Sequence, residues 1–426
     1  MKFRQLVLMA LPFIMFTACE KEPDGGGNGT ADRTAEYITL QKKSPKRGVS
    51  FNFGQLPDND IPLLGPSCSW SYNWGSSTSN QAFQLFEQYD MDFCPMAWNA
   101  NWNENTFRQF KQLHPECEYI LAYNEPNLTD QANMVPSKAA EDWPRLVAIA
   151  KELNMKLIAP AMNYGTLQGY HDPWKWYDEF FSQPGVSWDD VDGIALHCYM
   201  GSAQAMKGFV DGFKKYGKPI WLTEFCNWAN NNISADAQMK YLVEALNLLE
   251  ADDAVFRYAW FIPRGNGDAQ CHNSLLMSQK PFGLTDLGNV FVNMSTQDKT
   301  LWYKPEQVIP AEHYNGVSGN VHLSPCTDAT GILQLTDLKK DTRVEYQIEL
   351  PEDDTYTLEF RYNTYYQSPL MVLLDGKELG ILELENTDYN WKNRLVDIPL
   401  PAGKHTLALT GTTAFPVTLN WLRISK

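Results

Sequence analysis

The sequence predicts an α/β chain: a (β/α)8 TIM barrel followed by a C-terminal all-β sandwich of jelly-roll-like type. Three observations carry that prediction. Between residues 47 and 262, eight short apolar runs alternate with longer amphipathic stretches. Several of the runs are apolar throughout, as strands buried on both faces are. After about residue 300 the runs turn β-rich and are separated by turn residues, the pattern of a sandwich. A length of 426 residues accommodates two or three domains, and a hydrophobic content of 44 % is enough to fill their cores.

The chain opens with Met1, Lys2 and Arg4, then an apolar stretch over 6–16 that is too short to span a bilayer. It runs into Phe16-Thr17-Ala18-Cys19, which resembles a bacterial lipobox, and that resemblance implies cleavage before Cys19 and lipidation of its thiol. Glu20, Lys21, Glu22 and Asp24 follow, then Gly25-Gly26-Gly27-Asn28-Gly29, a polar glycine-rich tether. Acidic residues just past the cysteine resemble the surface-export signals of Bacteroidota lipoproteins. The expectation is a signal peptide over 1–18 and a lipidated cysteine with its tether over 19–45. The protein is then an exported lipoprotein of the outer membrane, displayed at the cell surface and touching membrane through its lipid anchor only.

The barrel is expected over 46–298. Its strand runs are 47–53, 68–74, 92–98, 119–125, 156–162, 193–199, 219–225 and 256–262. Helical stretches lie between them, among them 137–153, with Ser137 near its start and Glu141 four residues on, and 234–251. An open doubly wound sheet is the alternative. No GxGxxG follows the first strand, and a count of eight strand–helix units favours the barrel.

The sandwich is expected over 299–426. Its runs are 332–335, 343–350, 355–362, 370–374, 395–400, 405–409 and 417–424. The turns Pro351-Glu352-Asp353-Asp354, Asp375-Gly376 and Pro401-Ala402-Gly403 punctuate them.

A formal charge of -16 argues against nucleic acid, which is held by neutralising phosphates with Lys and Arg. It equally disfavours docking on anionic headgroups, and it permits a neutral polymer. Trp 14, Tyr 20 and Phe 21 offer many flat apolar faces. Seven cysteines follow Cys19 without a CxxC or zinc spacing, and an odd count leaves at least one free thiol. Cys226 and Cys271, in expected loops after neighbouring strands, are the first candidates for a disulfide. His171, Asp172 and Asp178 read as a polar loop. The chain is expected to be a monomer.

In a barrel of this type the site lies at the C-terminal ends of the strands. Strand four ends in Ala122-Tyr123-Asn124-Glu125-Pro126 and strand seven in Trp221-Leu222-Thr223-Glu224-Phe225, each with a Glu at the mouth. The other strand ends offer Trp74, Trp98, Asn99, Asn163, His197, Tyr199 and Trp260 and no further carboxylate. Two acids among aromatics and amides are the equipment of glycoside hydrolysis: one protonates the departing oxygen, the other attacks or activates water. Tyr199 and His197 share one face of strand six, since side chains alternate along a strand.

Asn124-Glu125-Pro126 with the strand-seven Glu resembles the clan of retaining glycosidases built on this barrel. Met96-Ala97-Trp98-Asn99, Leu196-His197-Cys198-Tyr199 and Tyr258-Ala259-Trp260-Phe261 are similar to glycoside hydrolase family 128, the endo-β-1,3-glucanases, over roughly 47–295. The resemblance implies Glu125 as acid/base and Glu224 as nucleophile, with no cofactor for catalysis. It also implies that Tyr199 donates to Glu224 and that Asn124 binds the sugar 2-hydroxyl. Trp74, Trp98, Asn99, His197 and Trp260 are expected to line the substrate site. The implied partner is β-glucan of laminarin or curdlan type. Another retaining β-glycanase activity, β-1,4 or exo-acting, and a non-catalytic glycan-binding protein are the alternatives. Ile309-Pro310-Ala311-Glu312-His313-Tyr314 and Leu419-Asn420-Trp421-Leu422 resemble carbohydrate-binding modules of family 6. That resemblance implies a structural calcium near Glu312 and Asn420, and a sugar-stacking aromatic at Tyr389 or Trp391.

Overall fold

The computed structural model describes residues 41–228, 232–265 and 271–426. Cys19, the leader and most of the tether lie outside them. The chain forms two compact units, one over Lys42–Gln297 and one built from Asp298–His322 and Cys326–Lys426.

The first unit is a barrel of eight parallel strands: β1 (Arg47–Ser50), β2 (Trp70–Tyr72), β3 (Asp92–Phe93), β4 (Tyr119–Leu121), β5 (Lys156–Met162), β6 (Gly193–Cys198), β7 (Ile220–Phe225) and β8 (Val255–Trp260). Their order is β3-β2-β1-β8-β7-β6-β5-β4. The ring closes through a bridge between Met96 and Leu121, where Ala97 N donates to Leu121 O and Leu121 N to Pro95 O, each at 2.9 Å. Pro95 has no N–H to give, so the ladder after β3 stops early.

Several strands are shorter than the apolar runs that predict them. The surplus residues, most of them buried or half-buried, leave the ladder to build the mouth. Trp74 (φ 62) and Glu125 (φ 44) sit just past β2 and β4 in the left-handed region. For side chains of this size that conformation is strained, and such strain gathers at functional sites.

The barrel interior is packed. Trp70, Tyr72, Met96, Leu121, Ile158 and Trp221 fill it, and Ala161, Ala195 and Ala259 leave room for the rings. Gly48 is needed for the same reason, because a Cβ there would lie 2.4 Å from Trp70 Nε1. At the N-terminal end of the strands the Arg257 guanidinium lies 5.0 Å from the ring centres of Tyr119 and Trp221 and 5.6 Å from those of Trp70 and Phe256. It pairs there with Asp92. Helix Ala235–Ala251 is capped by Ser234 Oγ accepting from Ala237 N. The other expected helix runs Pro136–Glu152 and starts at proline rather than at a serine cap: Val135 is the cap, and Ser137 lies inside the first turn. Asp172 caps helix Pro173–Phe180, so the polar loop around it has a structural use.

The second unit packs two antiparallel sheets. One orders Gly316–Ser318, Arg343–Leu350, Gly403–Gly411, Leu370–Leu374 and Lys377–Leu382. The other orders His322–Pro325, Leu333–Leu338, Val417–Ser425, Asp354–Asn363 and Lys392–Leu400, with Val308–Pro310 added beside Val417–Ser425. Along Arg343–Leu350 every second residue is buried, the mark of a strand with one face on a core. Asp375 (φ 50) and Gly376 (φ 77) form the two-residue hairpin turn that the Asp-Gly pair predicts.

No disulfide joins the seven described cysteines, so the Cys226–Cys271 bond is not formed in this structure. The two thiols nonetheless lie side by side in hydrogen-bond contact.

Candidate active site

Glu125 and Glu224 face each other at the C-terminal mouth of the barrel, both buried. A cleft of about 570 Å³ opens over them, lined by Trp74, Trp98, Asn124, Glu125, Gln131, Tyr199, Glu224, Trp228 and Phe261.

Glu224 sits near the end of β7 and accepts from three uncharged donors. Tyr72 OH (2.8 Å) and Trp74 Nε1 (2.6 Å) reach Oε1, and Tyr199 OH reaches Oε2. Burial, then the nearby Glu224 charge, holds both tyrosines well above the usual phenol range, so they stay protonated as donors. Glu125 accepts from Asn163 Nδ2 at 3.0 Å. Its backbone neighbour Asn124 is tied to the barrel wall by a bridge to Ala161.

His197, fully buried on β6, stands between the two acids. Its Nδ1 lies 3.0 Å from Glu125 Oε1 and 3.4 Å from Glu224 Oε2. With two acceptors in reach of one nitrogen, His197 shares its contact between them, and neither approach is an ideally aligned hydrogen bond. Burial alone would raise the Glu125 carboxyl, but the His197 charge and the His197 and Asn163 hydrogen bonds outweigh it and hold the group below its usual value. Burial alone would lower the His197 imidazole, but Glu224 and Glu125 outweigh it and hold the ring above its usual value.

Of the residues expected here from sequence, Glu125, Glu224, Asn124, Tyr199, His197, Trp74 and Trp98 meet at this mouth. Two do not. Trp260 is wholly buried on the outer side of the barrel, packed on Phe225 and Tyr241 with Nε1 donating to Asn273 O at 2.8 Å. Strand alternation explains it: Trp260 points out, and the next residue, Phe261, points in. Asn99 Oδ1 accepts from Asn101 N at 2.9 Å, a turn contact that leaves it out of the cleft lining.

Sequence reading also passed over residues that matter. Tyr72 shares a strand face with Trp70 and Trp74, and that parity was a usable signal. Trp228 and Phe261 stack at 5.9 Å and form one wall of the cleft. Trp228 lies past the strand, where no periodicity reaches. Gln131 accepts from Asn124 Nδ2 at 3.2 Å.

In the second unit, Glu312 and Asn420 are both buried. Asn420 turns its amide nitrogen to Asp328 Oδ2 (2.8 Å) and Thr330 O (2.6 Å), and Asp328 is already paired with Arg361. Glu312 Oε2 has no partner, and burial pushes the carboxyl up to about 8. Calcium takes six to eight oxygens. One carboxyl without a counter-charge and an amide whose nitrogen is turned to Asp328 and Thr330 do not supply them, and no group of three acidic, His or Cys side chains converges among the described residues. The donor set as arranged does not fit the ion.

On the same unit, Tyr365 and Tyr389 stack at 5.2 Å, and Tyr366 stacks on Phe415 at 4.2 Å. All four rings are more than two-fifths exposed. Trp391 instead donates Nε1 to Thr327 Oγ1 at 3.1 Å and is only partly exposed.

The family model for the glycosyl hydrolase catalytic core matches residues 48–291. The chain is 37% identical to a family 128 (subgroup II) endo-β-1,3-glucanase from Pseudomonas viridiflava, covering 59% of this chain and 98% of that one, with a TM-score of 0.54. It is 31% identical to a subgroup II endo-β-1,3-glucanase from Sorangium cellulosum, covering 58% and 97%, with a TM-score of 0.52. It is also 24% identical over 266 residues to alkali-sensitive linkage protein 1 of Schizosaccharomyces pombe, a match to 59% of this chain that spans 45% of that relative's length. The chain belongs to the glycosyl hydrolase catalytic core family and, within it, to glycoside hydrolase family 128.

Proposed function

We propose that this glycoside hydrolase is an endo-β-1,3-glucanase that works by double displacement, with Glu125 as acid/base and Glu224 as nucleophile. One observation carries the mechanism: a single ring nitrogen, 3.0 and 3.4 Å from an oxygen of each acid, caps the gap between those oxygens. One side chain can touch both acids only when they stand close, as the separation of about 5–5.5 Å in retaining enzymes requires.

In the first step Glu125 gives its proton to the glycosidic oxygen while Glu224 attacks the anomeric carbon. The carbon–oxygen bond to the leaving chain breaks, and an ester to Glu224 forms. In the second step Glu125 takes a proton from water, the water oxygen attacks the same carbon, and Glu224 leaves as a carboxylate. Tyr72, Trp74 and Tyr199 donate to the Glu224 carboxylate and hold it in place without bringing a positive charge to it. Asn124, one residue from Glu125, is placed to bind the sugar 2-hydroxyl. The rings of Trp74, Trp98, Trp228 and Phe261 offer apolar platforms along an open cleft, as an internal stretch of glucan needs.

The exposed rings of Tyr365, Tyr366, Tyr389 and Phe415 support a second role, holding polysaccharide on the sandwich. Exposed apolar patches of this kind mark binding surfaces. With Cys19 lipidated, such a protein would work from the outer surface of the cell.

The test is hydrolysis of laminarin, curdlan and mixed-linkage glucan by the wild type and by Glu224→Gln. Internal cleavage of the β-1,3 polymers by the wild type alone is the expected result. Activity confined to a β-1,4 polymer would overturn the linkage, and binding without hydrolysis of any of them would overturn the enzyme.

A further inference from the structure

We propose that His197 is a positioning residue that bridges the pair as an imidazolium and stores, in the resting site, the proton that Glu125 later delivers. This rests on the assignment of Glu125 and Glu224 given above. The ring is fully buried, and Nδ1 reaches both carboxylates. Among the described residues, Glu224 otherwise accepts from uncharged donors alone, and Glu125 from an amide. Among the described residues, His197 is the one basic side chain in ion-pair contact with either acid.

Charge arithmetic decides where the proton sits. A neutral ring would leave two adjacent buried carboxylates, and like charges that close cannot both stay ionised. One proton must therefore be held somewhere among the three groups. On Glu125 it would satisfy one acid. On His197 it serves both, because Nδ1 lies within ion-pair reach of each. Nε2 meets no acceptor, which counts against the cation, but two anions at Nδ1 outweigh one unpaired N–H. The electrostatics run the same way, with the ring held above its usual value and Glu125 below. The other groups around the cluster do not compete: Asn163 after β5 is uncharged, and Tyr72 and Tyr199 stay protonated.

Substrate binding expels water from the cleft, and a dry site favours the neutral carboxyl–imidazole pair over the ion pair. The Nδ1–H bond then breaks and an O–H bond forms on Glu125 along the 3.0 Å contact. The ring is left neutral and Glu125 is armed as the acid. The three groups titrate as one unit, and the alkaline limb of the pH–rate profile belongs to the ring.

The test is the pH dependence of kcat/KM for wild type, His197→Asn and His197→Gln. Without the ring the stored proton rests on Glu125 alone, so the alkaline limb should move to lower pH, by about one pH unit or more. A neutral, purely structural ring would only donate to the carboxylates, and its loss would leave that limb in place or move it up. Either of those outcomes overturns the proposal. A second measurement needs neither activity nor a folded His197 variant. Imidazole nitrogen NMR of the wild type should show one buried histidine still cationic at pH 7, with its titration falling in Glu125→Gln. A buried ring already neutral at pH 6 would contradict the proposal, even in a protein that hydrolyses glucan as expected.

Discussion

Both ends of the barrel bury charge, and they do so by opposite rules. At the N-terminal end Arg47 meets Glu250 at 3.0 Å, and every remaining donor and acceptor is answered. Arg47 Nε reaches Tyr258 OH (3.1 Å), Nη1 reaches Phe291 O (2.8 Å), and Glu250 accepts from Ser44 Oγ (2.8 Å). One cation faces one anion, and the cluster stitches β1 to helix Ala235–Ala251 and helix Asp286–Asn293. At the C-terminal end two anions face one imidazole, three neutral donors crowd one of those anions, and Glu125 and Trp74 hold left-handed backbone. The closed end stabilises, and the open end is left with a proton to move. Substitutions at the two ends should therefore part activity from stability.

The largest separation is expected from Glu224→Gln. Losing the nucleophile should lower kcat by about 10⁴-fold or more, with the melting temperature close to wild type. Glu250→Ala should do the reverse. It leaves Arg47 charged and buried without its partner, a loss of about 3–5 kcal/mol, seen as an earlier denaturant midpoint with kcat per folded molecule unchanged. Trp74→Phe keeps a ring in the cleft but removes one N–H from Glu224. A hydrogen bond to a charged group is worth about 1.5–3 kcal/mol, so kcat should fall about 10- to 100-fold with a small change in stability.

The sandwich sharpens the contrast, because it buries a carboxyl with no counter-charge at all. Glu312 is raised to about 8 in the fold, from an ordinary carboxyl value when unfolded. A raised acid costs nothing while protonated in both states, and stability falls as pH climbs from the unfolded value towards about 8. Glu312→Gln should therefore raise the unfolding temperature of this unit at pH 8 and leave it nearly unchanged at pH 4, read by calorimetry. A chelator should leave both values unmoved. Stabilisation by added calcium that Glu312→Gln abolishes would contradict this. The smallest effect is expected from Tyr389→Ala, a few-fold weaker retention on insoluble curdlan with hydrolysis of short soluble chains unchanged.

Much of this was legible in the sequence because it follows from periodicity. Eight apolar runs gave the barrel, and their fourth and seventh ends held Glu125 and Glu224. What stayed hidden depends on parity and on short elements. Trp260 and Phe261 are adjacent, and one step in register decides which faces the cleft. Trp228 lies in a loop that no period reaches. The edge strands Val308–Pro310, Gly316–Ser318 and His322–Pro325 are too short to carry a pattern, and their pairing comes from the sheet around them. The sharing of His197 between two acids is set by three strands meeting, which spacing along one chain does not encode.

The most direct test of the central claim, a covalent step at Glu224 with Glu125 beside it, is stereochemical. Proton NMR of the first sugar ends released from a β-1,3-glucan reads the configuration before it mutarotates. The β-anomer appearing first is the expected result, and the α-anomer appearing first would contradict double displacement and the roles given to both acids.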